Sequence, residues 1–515
     1  MGISARHVSE RLAGTDELAL LDVREQGVHY RGHPFFAVSA PLSRLELMIG
    51  DLVPRRSVPI VVLDGGEEGN ESGLAAKAQK KLRELRYTDV EILEGGCAAW
   101  KYAGLELFSG VNVPSKAFGE FVEHHYGTPR IAPGELKRLQ ELKKVLVVDS
   151  RPLEEYRRMN IPGGIDMPGA ELVYRIHDLA PSPDTLVVVN CAGRTRSIIG
   201  CQSLRNAGIP NPVVALKDGT MGWELAGFTC ERGAERVAPA PTEEGRKKAF
   251  AAAERVAKKF SVQFTSMERL HEWRRDPART LYILDVRTRE EFERSHVAGS
   301  RHAPGGQLVQ AADEYVGVRN ARVVLVDPDL VRAIMTASWL NQMGWNDVYV
   351  LEDAELTETG PRQPKIPGTP PWRTVSAIPE GAAVLDLSTS LRFHHRHIPG
   401  AWWGVRSRLA EARAAIPATN TLVLTSEDGV LAHLAAPEAA ALWPEVHVLE
   451  GGNAAWTGPT ETGVESATTT RDDVWYKPYD HTSDYLKHAR DYLAWEVALV
   501  EQIKRDPTIR FRAYS

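Results

Sequence analysis

Cysteine is scarce: Cys97, Cys191, Cys201 and Cys230 are the only four in 515 residues. That is too few for a disulfide framework, and no CxxC spacing offers a zinc site or a dithiol couple. Such usage predicts a reducing, cytoplasmic setting. There is no apolar signal core behind Met1 and no run long enough to cross a bilayer, so no membrane partner is expected. A strong charge of one sign is also missing. The net charge is -6, which leaves no overall basic field for nucleic acid, so any anion binding must be local. His394, His395 and His397 come nearest to a metal cluster. His397 belongs instead to a repeated turn, and no metal or organic cofactor is expected.

The chain does contain a repeat. Short apolar runs end in an acid at Leu20-Leu21-Asp22-Val23-Arg24, Val147-Val148-Asp149-Ser150-Arg151, Ile283-Leu284-Asp285-Val286-Arg287 and Val384-Leu385-Asp386-Leu387-Ser388. Eleven residues beyond each Asp stands His33, Asn160, His296 or His397, with Pro or Gly following. A position 42 residues beyond the Asp closes another apolar run, at Asp64, Cys191 and Asp327; the fourth copy is two residues shorter and reaches Ser426. Three copies then finish alike, with Glu94-Gly95-Gly96-Cys97-Ala98-Ala99-Trp100, Lys217-Asp218-Gly219-Thr220-Met221-Gly222-Trp223 and Glu450-Gly451-Gly452-Asn453-Ala454-Ala455-Trp456. The third copy, Leu351-Glu352-Asp353-Ala354, has lost both glycines and the Trp.

Buried runs that alternate with helical segments predict an α/β fold. Four tandem modules are expected, each a mainly parallel sheet with helices on both faces, at residues 1–110, 128–232, 258–358 and 372–458. A tail follows over 472–515. Ser109 to Pro133, Glu235 to Glu243 and the proline-rich Thr359 to Pro371 read as linkers, which would let the modules pack in pairs. In the tail, Leu486, Ala489, Leu493, Val497 and Val500 share one face of a predicted helix from Ser483 to about Lys504. That face either packs back on a module or forms a homodimer contact.

Only one copy places a thiol where the second long strand meets a helix. Leu186 to Asn190 is a β-branched run, Cys191 ends it, Ala192-Gly193-Arg194 forms a loop, and Thr195-Arg196-Ser197 opens the helix. Amides of such a loop and helix terminus favour an anion. A thiolate is one, and a free thiol that titrates near ~8.5 commonly falls by a unit or more in such a setting. Arg194 and Arg196 add cations that would hold an anionic substrate. Cys201 lies three helical turns further on and reads as core, whereas Cys97 and Cys230 fall at module ends, near surfaces.

The Asp-x-Arg strand, the turn, the cysteine loop and the Gly-Gly-x-x-x-Trp terminus together resemble the rhodanese, or thiosulfate sulfurtransferase, family over nearly the whole chain up to Trp456. The resemblance implies rhodanese-like modules and a sulfurtransferase. Its loop cysteine, Cys191, would take the sulfane sulfur of thiosulfate as a persulfide and pass it to cyanide, a thiol or a protein acceptor. Ala192, Gly193, Arg194, Thr195, Arg196 and Ser197 would bind the substrate. The other modules would be non-catalytic. Asp64 opens an acidic loop with Glu67 and Glu68, Pro328 removes an amide next to Asp327, and Ser426 has no nucleophile elbow around it. Asn160 would shape the turn as histidine does elsewhere, and Asp149 with Arg151 would form a buried structural pair. A cysteine phosphatase or arsenate reductase would need Arg where Ser197 stands. A persulfide carrier with slow small-molecule turnover is the other alternative.

Overall fold

The computed structural model describes residues 2–514 apart from 67–72, 144, 181, 364–365, 367–370 and 482. Glu67, Glu68 and six of the thirteen residues of the proline-rich linker therefore lie outside the described residues. Four five-stranded sheets follow one another along the chain. In the second, the strands are Arg130–Ile131, Val145–Asp149, Ile165–Asp166, Leu186–Asn190 and Val213–Leu216, all parallel, in the spatial order first, fifth, fourth, second, third. The other three sheets repeat that order, including the one whose central strands are Ala383–Asp386 and Thr421–Thr425. The central strands carry Val, Ile and Leu almost without interruption because flanking helices cover them. Among the described residues no helix is long and apolar enough to cross a membrane.

The repeat landmarks correspond to local hydrogen bonds. In the second module Arg151 clamps Asp149 with Nε to Oδ1 at 2.8 Å and Nη2 to Oδ2 at 2.7 Å, and Nη2 also donates to the carbonyl of Met159 at 2.6 Å. Arg24 and Arg287 do the same to the carbonyls of Gly32 and Ser295. The fork thus fixes the residue just before the turn, which is why that turn keeps its distance from the Asp. At the turn His296 and His397 place Nδ1 on the carbonyl four residues back, and Asn160 does so with its amide, Nδ2 to the Tyr156 carbonyl at 3.2 Å.

The described residues form two compact units, 1–8, 19–111 and 364–480 in one and 9–18, 112–363 and 481–515 in the other. The first and fourth modules therefore share a unit, as do the second and third. Within the first unit, Arg406 of the fourth module donates to both oxygens of Glu46 of the first at 2.9 and 3.0 Å. Within the second, Trp339 Nε1 donates to Ser203 Oγ at 2.8 Å, and Arg332 pairs with Glu171 at 3.2 Å.

Two expectations are corrected. Residues 109–133 are not a linker: they contain the helix Val113–Tyr126, which packs on the helix Thr195–Ala207 so closely that a Cβ on Gly119 would lie 2.7 Å from Thr195 Cγ2. The tail does not act as one piece, since it belongs to the first unit up to Asp480 and to the second from His481. Its helix spans Tyr485–Gln502 and buries Ala489, Leu493, Glu496 and Leu499. Leu486 and Val497, expected on the apolar face, are exposed, because a carboxylate has taken part of the buried stripe.

Candidate active site

Cys191 stands at the end of the strand Leu186–Asn190, one short loop before the helix Thr195–Ala207. The closing landmark of the repeat holds this loop from one side. Thr220 N–H donates to the Cys191 carbonyl at 2.9 Å and Met221 N–H to the Ala192 carbonyl at 3.0 Å. In a trans peptide the N–H points opposite to the preceding carbonyl, and no cis peptide is present among the described residues. The amides of Ala192 and Gly193 are therefore turned away from the helix Gly219–Leu225, which supplies those two donors.

Asp64 in the first module and Ser426 in the fourth have their carbonyls held identically, by Cys97 and Asn453. The geometry needs a residue at φ +57 at Gly219, where a Cβ would sit 2.3 Å from the Cys191 carbonyl oxygen; Gly96 and Gly452 show the same approach. Only glycine fits there. The residue before it is less constrained. Gly95 and Gly451 face the side chains of Ala99 and Ala455 four residues on, whereas the second module has Asp218 at φ +61 and answers its Cβ with Gly222.

What these junctions hold is visible where a side chain fills them. Asp327 accepts from the amides of Asp329 and Arg332 at 3.2 and 2.8 Å, and from the Arg332 guanidinium at 2.8 Å. Asp64 accepts from Gly66 and Ala75, each at 3.0 Å, and Ser426 Oγ accepts from Ala432 N–H at 3.3 Å. In each, the strand–helix junction turns backbone donors onto the residue that stands where Cys191 does.

Around Cys191 the environment is polar but closed. The sulfur is 3.5 Å from Ser197 Oγ, which donates to the Arg194 carbonyl at 2.8 Å, and the residue is only 2% exposed. The terminal helix Tyr485–Gln502 lies over the loop. A Cβ on Gly193 would be 3.2 Å from Glu496 Oε2 and 3.3 Å from the Tyr492 ring. Glu496 Oε1 accepts from Thr195 Oγ1 at 3.1 Å and from the Tyr492 hydroxyl at 3.0 Å, and lies 3.4 Å from Lys116 Nζ. Burial, with Glu496 and Cys191 beside it, pushes the Tyr492 phenol well up, so it remains a proton donor.

The two arginines are not arranged as expected. Arg194 is buried and saturated: Nε and Nη2 meet the two oxygens of Glu120 at 2.6 and 2.7 Å, Nη2 reaches Glu123 at 2.5 Å and Nη1 reaches Asp218 at 3.1 Å. Burial pushes the Glu120 carboxyl up even so. Arg196 pairs with both oxygens of Glu155 at 2.8 and 2.7 Å and contacts Gln307 at 3.2 Å. Carboxylates from neighbouring elements thus pair with both guanidiniums. Cys97 and Cys230 are buried rather than near a surface; Cys201 is buried too, and burial pushes the thiols of Cys201 and Cys230 up to about 12. A small, largely apolar cavity of about 30 Å³ between the second and third modules touches Thr195 and Arg196 but does not include Cys191.

Lys116, Glu120, Glu123, Tyr492 and Glu496 escaped the sequence reading, since they come from a supposed linker and from the tail. Asp218 alone had a signal, as the non-glycine in a repeated Gly-Gly.

Comparison with known proteins agrees with this architecture. A crystal structure of thiosulfate sulfurtransferase from Pseudomonas aeruginosa is 45% identical, covers 100% of both chains and superposes with a TM-score of 0.95. The Alr3790 protein of Anabaena is 26% identical over 21% of this chain and 93% of its own, with a TM-score of 0.19. A curated relative, the HTH-type transcriptional regulator Rv0324 of Mycobacterium tuberculosis, is 36% identical over 110 residues, which are 21% of this chain; the chain spans about half the length of that relative, 48%. The model of the rhodanese-like domain matches residues 4–103, 132–226 and 266–354, and the chain belongs to that family.

Proposed function

We propose that this sulfurtransferase carries sulfur on Cys191, in the cytoplasm, and that the other three modules make no bonds. The full-length relative is a thiosulfate sulfurtransferase, which makes thiosulfate the donor to test first. The Cys191 thiolate attacks the outer sulfur of thiosulfate; the S–S bond of the donor breaks with its electron pair on sulfite, and Cys191 keeps the sulfur as a persulfide. Amides of residues 192–197 hold the anionic outer sulfur, as preorganised donors hold an oxyanion. A nucleophile, cyanide or a thiol, then removes it.

The observation that carries this reading is the register of the repeat. At the position of Cys191 two modules hold a carboxylate on backbone amides, so the junction is built for a negative group, and only the second module leaves that group to a reactive sulfur. Intact-mass measurement after incubation with thiosulfate tests the assignment. A gain of one sulfur atom, lost in Cys191→Ser, is expected; no gain, or a gain on Cys97, Cys201 or Cys230, overturns it.

A further inference from the structure

The carboxylate of Glu496 is fully buried, and its Oε2 has no hydrogen-bond partner among the described residues. Such an atom in a closed site costs folding free energy unless something arrives to use it. Oε1 is already served by Thr195, Tyr492 and Lys116, so the open valence is on Oε2 alone. Oε2 lies over Gly193, whose Cα is at most about 7 Å along the chain from that of Cys191. A carboxylate oxygen only accepts. Its missing partner is an N–H or O–H donor, and a cation satisfies it best.

The surrounding charge agrees. Glu120, Glu123, Asp218, Glu155 and Glu496 face four cations, Arg194, Arg196, Lys116 and Arg130, so the shell keeps one carboxylate in excess. A site meant for two anionic substrates in turn would not bury a further carboxylate over its loop.

We infer that the acceptor in the second half-reaction is an aminothiol, with its ammonium on Glu496 Oε2 and its sulfur on the Cys191 persulfide. This rests on Cys191 being the sulfur carrier. The acceptor thiol loses its proton to solvent, and its sulfur attacks the outer sulfur of Cys191-S-S⁻. A new S–S bond forms on the acceptor. The bond from the transferred sulfur to Cys191 Sγ breaks with its electron pair on Cys191, which leaves as thiolate and takes a proton from solvent. Glu496 binds and orients the acceptor; it does not exchange a proton.

Three acceptors of one length separate the outcomes: cysteamine, 2-mercaptoethanol and 3-mercaptopropionate, which differ only in an ammonium, a hydroxyl or a carboxylate. The full chain is loaded with one sulfur, by thiosulfate or by polysulfide, and discharge in a single turnover is followed by intact mass, with rates corrected for the thiolate fraction of each acceptor. In the wild type, cysteamine discharges the persulfide about tenfold or more faster than 3-mercaptopropionate, as a charge-assisted contact against a repulsion requires. In Glu496→Gln the ratio falls to within about threefold.

An unchanged ratio in that variant, or a wild type that prefers the acid, overturns the inference while leaving Cys191 in place. Should Glu496→Gln fail to fold, the wild-type ratio decides alone: about tenfold or more, not inverted when ionic strength is raised, supports the inference, and a ratio within about threefold overturns it. If no sulfur loads on Cys191 by either donor, the reading beneath the inference has failed and the inference with it.

Discussion

Exchanging Arg194 for methionine removes a guanidinium whose Nε and both terminal nitrogens are engaged by three carboxylates. The partner that suffers is Glu120, which is buried and already pushed toward its neutral form by burial, Glu496 and Glu123. Glu123 and Asp218 lie nearer the solvent and can rehydrate. Leaving one buried charge without its partner costs about 3–5 kcal/mol. At roughly 2–4 °C of melting temperature per kcal/mol for a unit of this size, Arg194→Met lowers the Tm of its unit by about 10 °C. The double variant Glu120→Leu with Arg194→Met deletes both charges and returns most of that stability, because neither member is left unsolvated.

Once the double variant is folded, thiosulfate charging of Cys191, followed by intact mass against donor concentration, asks whether the guanidinium also grips the donor. The saturated geometry says that it does not, so the half-saturating concentration stays within about threefold of wild type; loss of a charged hydrogen bond to substrate would raise it tenfold or more. A stable double variant that needs tenfold more thiosulfate refutes the structural role assigned to Arg194 and restores it to the donor site.

Two further outcomes follow from single residues. Gly219→Ala places a Cβ 2.3 Å from the Cys191 carbonyl oxygen at a positive φ, and since that neighbour is backbone the loop must move; charging falls by about 10²-fold, the usual cost of displacing a reacting group by an ångström. Normal charging in a folded variant would mean that the closing turn does not set the loop. Glu25, buried between Ser43 and Ser407, is pushed up from 4.5 to about 7 by burial. Between those values the folded state holds a proton that the unfolded state has lost, so the stability of this unit falls as pH rises from about 4.5 to about 7 and is level above. Glu25→Gln, scanned for Tm at pH 4 and pH 8, gains over wild type at pH 8 only; an equal change at both ends would contradict the assignment.

The four modules were legible because each landmark is a local bond written at a fixed spacing. Arg151 reaches the Met159 carbonyl whatever surrounds it, and Gly219 must approach Cys191 wherever the module sits. What stayed hidden depends on packing between distant segments. Nothing in the order of the modules says that the second shares a unit with the third and the first with the fourth. Glu120 and Glu123 lay in a stretch whose Asn112-Val113-Pro114 start resembles a linker, although Pro114 sits near the beginning of the helix Val113–Tyr126, where its missing amide costs nothing. Glu496 interrupts an apolar stripe, and amphipathic periodicity assigns a charged residue to solvent. It is buried here because Thr195, Tyr492 and Lys116 satisfy one of its oxygens.

The three junctions without cysteine turn backbone donors onto Asp64, Asp327 and Ser426, and the energetics of those donors account for the residues found there. An unfilled cluster of amides at a strand–helix junction would leave several buried donors without partners, at about 1–3 kcal/mol each. A side chain at this position that brings acceptors of its own removes that cost, as Asp327, Asp64 and Ser426 do. Asp327 goes further. By drawing Arg332 into its junction it holds a guanidinium that also reaches Glu171 of the second module, while Asp329 next to it accepts from Tyr174 at 2.5 Å. Asp327 is thus both the anion of its own junction and, through Arg332, a buttress for the second module's helix Glu171–Arg175, to which Asp329 adds the Tyr174 contact.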